Sequence, residues 1–148
     1  HLLFSNGQQT LGIGLPWAMG VLFAHPEQSV ISISGDGGFL FSAMELETAV
    51  REKCNLVHFI WQDQRYNMVY EQELMKYKRG SGVNFGKLDI PAFAKGFGAT
   101  GFTLENPNDF AKVFKTAQDT PGPVLINVPI DYSDNQKMFE GTHTEVGN

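Results

Sequence analysis

Cysteine is almost missing from this chain: Cys54 is the only one in 148 residues. A lone thiol excludes an intrachain disulfide framework and fits a reducing cytoplasm. No run approaches the ~18 consecutive apolar residues of a membrane span. Basic residues are few, 11 Lys and Arg against 16 Asp and Glu, for a formal net charge of −5. With no Lys/Arg stripe to neutralise phosphates, the composition argues against a nucleic-acid partner. The four His (His1, His25, His58 and His143) show no metal-ligand spacing, and no repeat or low-complexity tract is present. An initiating Met and a basic signal-peptide region are also lacking. His1-Leu2-Leu3-Phe4 reads as a chain entered partway through, so a fragment of a longer protein is expected.

What is present suits one domain with a substantial core, 42% hydrophobic with 12 Phe. Leu2 to Phe4 reads as the end of a strand, followed by a turn at Ser5 to Gln9. Leu11 to Ala24 reads as an apolar helix with Pro16 near its first turn, where proline is tolerated. Ser29 to Ser34 is a short strand, half of it β-branched. A helix is expected over about Phe39 to Lys53, burying Phe41, Met44, Leu46 and Val50 as one stripe, with Cys54 as a packing residue near its end. Leu56 to Trp61 is nearly all apolar, as a parallel strand buried on both faces requires. Gln62 to Lys87, polar and aromatic without clear period, is expected to be a functional loop or a short helix with loops. Ile90 to Phe97 is a helix capped by Asp89, Gly101 to Leu104 a strand, Asn106-Pro107 the start of a helix to about Thr120, and Val124 to Val128 a last strand. Strands alternating with helices predict an α/β fold, a doubly wound parallel sheet with helices on both faces. The domain is expected to occupy residues 1–133, and 134–148 to form a polar, loose tail.

Two acids stand out. Ser34-Gly35-Asp36-Gly37-Gly38 follows one strand, and Gln62-Asp63 follows the next. Their separation is about one strand, one helix and a second strand, so both carboxylates can emerge at the same edge of a parallel sheet. Magnesium takes hard oxygen ligands and shares them with substrate phosphates. Asp36 and Asp63 offer two such ligands, and a backbone carbonyl near Arg65 a further one. The amides of Gly37, Gly38 and Phe39 open a helix, where unpaired N–H groups favour an anion. Glycine at 37 and 38 lets phosphate approach without a Cβ clash. Asp36 as a plain turn residue stays open, because Asp-Gly is common in turns. Gly12-Ile13-Gly14 does not make a dinucleotide fingerprint, since the third glycine position falls on Trp17.

Gly35-Asp36-Gly37 with Asp63 resembles the thiamine-diphosphate-binding motif, a Gly-Asp-Gly followed some two dozen residues later by Asn-Asn. Within those enzymes, Phe4 to Gly12, Ser34 to Ala49 and Val128 to Ser133 look like acetolactate synthase in its catabolic, butanediol-pathway form. The resemblance runs to about Asn135 and covers only the C-terminal domain of a three-domain enzyme. It implies thiamine diphosphate and Mg2+ as cofactors, with Asp36, Asp63 and the Arg65 carbonyl as metal ligands. It places Gly35, Gly37 and Gly38 at the diphosphate and Leu11 under the thiazolium ring. It puts Met68 and Val69 beside the ring and Gln72 in the second-substrate pocket. It implies pyruvate as substrate, condensed in pairs to 2-acetolactate and CO2. The activating glutamate belongs to the N-terminal domain of a partner subunit, so the isolated chain is expected to be inactive. Where the family has Asn-Asn this chain has Gln62-Asp63, which predicts tighter Mg2+ binding. A pyruvate oxidase or glyoxylate carboligase domain, or a non-catalytic binding module, are the other readings.

Overall fold

Leu56-Val57-His58-Phe59-Ile60-Trp61-Gln62 sets the geometry of the whole molecule. Six of its seven residues are buried, so this strand has to lie inside a sheet covered on both faces. The computed structural model describes residues 1–5 and 7–134. In it a four-stranded sheet has the order β1-β2-β4-β3, all parallel, with β1 Val30–Gly35, β2 Leu56–Gln62, β3 Thr100–Thr103 and β4 Val124–Pro129. The helices are α1 Gly14–Ala24, α2 Asp36–Leu40, α3 Glu45–Arg51, α4 Asn67–Tyr77, α5 Ile90–Gly96 and α6 Phe110–Gln118, the last preceded by a 3-10 turn at Pro107–Asp109. No helix among the described residues is long and apolar enough to cross a membrane.

Handedness explains which face each helix takes. The chain steps from β1 to β2 and on to β3 in one direction, then returns from β3 to β4. A right-handed crossover that reverses direction must run over the opposite face. Accordingly Leu15 and Met19 of α1, Leu46 of α3 and Ile90 of α5 pack with Ile60 and Leu125 on one face. Val113, Phe114 and Ala117 of α6 pack with Phe59 and Ile126 on the other. The doubly wound sheet with helices on both faces is therefore the observed architecture.

Several local expectations change. Leu2 to Phe4 forms no strand and is exposed. The first helix begins at Gly14 rather than Leu11, because Gly12 adopts φ +85° in a turn where a Cβ would stand 2.9 Å from Phe41 Cβ. The single helix over 39–53 is two, α2 and α3, joined by turns at 41–44. The buried stripe is Phe39, Ala43, Leu46 and Ala49, while Phe41 and Met44 are exposed. The small Ala43 and Ala49 are buried in the same cluster as Leu46 and Ile60. Gln62 to Lys87 resolves into α4 and a loop that returns to it. The tail proposed from 134 onward lies almost wholly outside the described residues.

The outer face of β1 is bare. Ile31 and Ile33 are 49% and 54% exposed, and Trp61 beside them on β2 is 43% exposed. All three lie on the face of α6, which packs on β2 and does not cover β1.

Candidate functional site at the carboxyl edge of the sheet

The parallel register sets Gly35 opposite Trp61, so the residues that follow, Asp36 and Asp63, leave the same edge on neighbouring strands. Asp36 is 1% exposed and opens α2. Its carboxylate joins the two strand ends. Oδ1 accepts the Gly37 amide at 2.8 Å, and Oδ2 accepts the amides of Gln64 at 2.8 Å and Asp63 at 3.2 Å. Each carboxylate oxygen has two lone pairs, so Oδ1 keeps one for a further partner.

Asp63 is the less settled acid. Burial first, and then the charge of Asp36, push its carboxyl above the usual aspartate range. The Arg65 amide, the Asn67 side chain and the Arg65 charge pull it back. Its Oδ2 is buried without a hydrogen bond, and the Arg65 guanidinium Nε stands 3.9 Å away. Tyr132, beyond the end of β4, feels the same field: burial, then Asp63, then Asp36 raise its phenol. An edge that disfavours negative charge on two side chains, with an acceptor oxygen left bare, suits a divalent cation. Among the described residues no group of three or more His, Cys, Asp or Glu forms a protein-only metal cage. Two carboxylates fit Mg2+, which keeps waters and phosphate oxygens in its shell.

The loop after Asp63 is pinned on both sides. Gln64 takes φ +63°, and its carbonyl accepts the Phe85 amide at 3.0 Å, while the Tyr66 amide donates to the Val83 carbonyl at 2.9 Å. Arg65 lies over the Tyr70 ring at 4.6 Å. Tyr66 packs edge-on against Phe85 and Phe41 and covers Gly37, where a Cβ would stand 2.7 Å from its ring. Gly37 is thus required by its aromatic neighbour as well as by any anion. Beneath the loop, Gln62 Nε2 donates to the Leu88 carbonyl at 2.8 Å and Gln62 Oε1 accepts Asn127 Nδ2 at 3.1 Å. The Gln62 carbonyl accepts the Ile130 amide at 3.0 Å. One residue therefore ties β2, β4 and both ends of the 63–88 loop together.

The other sequence candidates are placed as follows. Gly35 ends β1, and a Cβ there would meet nothing nearer than the Trp61 carbonyl at 4.0 Å. A Cβ on Gly38 would stand 3.8 Å from both Leu11 Cδ2 and Ser34 Cβ, so Leu11, half-exposed in the turn before α1, lies against the start of α2. Met68, Val69 and Gln72 lie on α4 and are exposed. No contact draws them to the two acids; their place is the helix that begins four residues after Asp63. Sequence reasoning missed Asn67, Tyr66, Tyr132 and the Gln62–Asn127 pair. Only Asn67 carried a signal, as an Asn just before a helical run.

A cleft of about 440 Å3 opens at the opposite edge, between Pro26–Ile31, Asn55–Val57 and the end of α6. Asn55 Oδ1 there accepts the Gly122 amide at 2.7 Å, and the cleft lies away from the carboxyl ends of the strands, where ligands of such sheets bind.

Relatives carry the same stretch. The chain is 55% identical over 134 residues to the acetolactate synthase of Bacillus subtilis (strain 168), covering 90% of this chain and 24% of that protein. It is 48% identical over 143 residues to the catabolic acetolactate synthase of Raoultella terrigena, covering 97% of this chain and 26% of that one. The chain thus spans about a quarter of the length of these relatives. Among solved structures, the thiamine diphosphate-dependent 4-hydroxybenzoylformate decarboxylase of Rhodococcus jostii RHA1 matches with a TM-score of 0.75 at 28% identity, over 83% of this chain and 24% of that one. Residues 1–128 match the thiamine pyrophosphate enzyme family at its C-terminal TPP-binding domain, and the chain belongs to that family.

Proposed function

We propose that this chain is the diphosphate- and Mg2+-binding part of an acetolactate synthase, which joins two pyruvate molecules into 2-acetolactate and releases CO2. The observation that carries this is the meeting of Asp36 and Asp63 at one sheet edge, with Asp63 Oδ2 buried and without a hydrogen bond. The similarity to acetolactate synthases supports this reading rather than a pyruvate oxidase or glyoxylate carboligase domain.

Asp36 and Asp63, with the Arg65 carbonyl, hold Mg2+. The amides of Gly38 and Phe39 face the diphosphate, since that of Gly37 is engaged by Asp36. Gly35 ends β1 immediately before Asp36 and lies beside the diphosphate. Leu11, exposed beside Gly38, supports the thiazolium ring. Thiamine diphosphate, when bound, supplies the carbon nucleophile and the electron sink for decarboxylation. Met68 and Val69, on the exposed side of α4, keep water from the reacting carbon, and Gln72 offers its amide to the second pyruvate. The site is completed by further domains and by a second subunit of a homo-oligomer, which supply the group that activates the cofactor. Cys54 is buried and free, which supports a reducing, cytoplasmic location.

Soaking crystals with Mg2+ and thiamine diphosphate tests the assignment. Density for a cation between Asp36 and Asp63, with the diphosphate next to it, is the expected result. The chain alone is expected to form no acetolactate. Grafted in place of the matching segment of the Bacillus subtilis enzyme, it is expected to support acetolactate formation. Absence of metal density at saturating ligand, or an inactive but folded chimera, overturns the proposal.

A further inference from the structure

Among the described residues, His58 is an ionisable side chain with no exposed surface that this function leaves unused. It sits in β2 with none of its surface exposed. Nδ1 lies 2.6 Å from Ser32 Oγ and Nε2 2.9 Å from Ser34 Oγ, two residues on the same side of β1. Burial holds the ring neutral, with a pKa lowered to about 4. A neutral imidazole has one N–H and one lone pair, so one serine donates to it and the other accepts. Both ring nitrogens are thereby fully used.

The ring also touches what lies above the strands. Its Cε1 lies 3.3 Å from where a Cβ on Gly14 would be, which places the first residue of α1 directly on the imidazole. The Phe39 ring of α2 is tilted over it at 5.7 Å between centroids. Ser34, held by Nε2, is separated from Asp36 only by Gly35, and its Cβ stands 3.8 Å from the position of a Cβ on Gly38. The imidazole therefore contacts, directly or through Ser34, the end of β1, the start of α1 after Leu11 and the turn that carries Asp36, Gly37 and Gly38.

We propose that His58 is a positioning residue for the cation and diphosphate site, acting through a Ser32–His58–Ser34 clasp that fixes the end of β1 and the start of α1. An apolar ring of the same shape leaves two half-buried serine hydroxyls without their imidazole partner. The strand end then loses its fixed orientation, and Asp36 and the Gly38 amide with it. The inference rests on the function proposed above, and the experiment separates the two.

Binding of Mn2+ with inorganic pyrophosphate to the full chain, followed by loss of the free Mn2+ resonance signal, supplies the readout. His58→Phe is expected to weaken binding about tenfold, the scale of losses when groups supporting metal ligands are removed. His58→Gln, whose amide nitrogen stands near the place of Nε2 and keeps the bond to Ser34, is expected to return affinity to within about threefold of wild type. Ile126→Val, in the core of the opposite sheet face, is expected to lower thermal stability without changing affinity. Should His58→Phe fail to fold, Ser32→Ala and Ser34→Ala take its place, and weaker binding in Ser34→Ala is the expected result. Wild-type binding together with unchanged affinity in His58→Phe, or in both serine variants, overturns the clasp and leaves the proposed function standing. Absence of Mn2+ binding by the wild type overturns both.

Discussion

Acid destabilises this fold through His58, and the size of the effect follows from its burial. In the unfolded chain the imidazole titrates near 6.5, and in the fold near 4. Between those values the unfolded chain binds a proton that the folded chain refuses, so stability falls as pH falls through this window. Stability is complete above the unfolded value, and the loss is complete below the folded one. A difference of that size corresponds to about 3 kcal/mol, with a slope approaching ~1.4 kcal/mol per pH unit in mid-window. That is a large part of the stability of a small domain, about 5–15 kcal/mol. Asp63 acts in the opposite sense. Its raised carboxyl makes the folded chain bind a proton more readily, so it returns some stability as pH falls through its folded value toward 3.8. The assay is urea unfolding of wild type and His58→Gln at intervals from about pH 7.5 to about pH 4.5, where linear extrapolation yields the free energy at each pH. The other histidines and carboxylates are common to both proteins and cancel in the difference. The wild type is expected to lose stability more steeply than the variant below the unfolded histidine value, the gap closing by up to about 3 kcal/mol at the acid end. Parallel curves for the two proteins refute the reasoning.

Gly37→Ala brings a Cβ to 2.7 Å from the Tyr66 ring and is expected to cost about 1–3 kcal/mol by overpacking, whereas Gly35→Ala, with only the Trp61 carbonyl at 4.0 Å, stays near neutral; equal melting temperatures contradict this. Gln62→Leu strands the Leu88 carbonyl and the Asn127 amide and is expected to cost about 2 kcal/mol in urea unfolding; an unchanged midpoint shows that the bridge carries no stability. Asp63→Asn removes one of two negative charges from the proposed metal site and is expected to weaken Mg2+ binding about tenfold; equal affinities in a calorimetric titration defeat it. Asp89→Ala deletes the cap that accepts the Ala92 amide at 2.9 Å and is expected to lower stability by about 1 kcal/mol without affecting metal binding.

The alternation of apolar strands with helical segments was enough to predict a parallel doubly wound sheet, because β2 is too uniformly apolar to face water on either side. The spacing of Asp36 and Asp63 was enough to predict their shared edge, because strand–helix–strand connections return the chain to the same end of the sheet. What escaped was set by tertiary contact. The segment between α2 and α3 lies against the Gly12 turn, where a Cβ on Gly12 would stand 2.9 Å from Phe41 Cβ, an approach between segments far apart in sequence. The stripe of the second helix was assigned to its larger side chains, yet the small Ala43 and Ala49 are among the buried residues while Phe41 and Met44 are exposed. Gln62 was noted only as standing where the family has an asparagine; in the fold it reaches both Leu88 and Asn127, partners 26 and 65 residues away. His58 showed no ligand spacing, and its serine partners are related to it only through strand register.

The uncovered side of the edge strand has a practical corollary for anyone handling the polypeptide in a test tube. Ile31 and Ile33 offer a flat, greasy ribbon next to unpaired backbone groups, the combination that recruits another strand from a neighbouring molecule. Crowded solutions of the bare chain will therefore clump before they lose their fold, and a lysine written in at Ile33 is the simplest antidote.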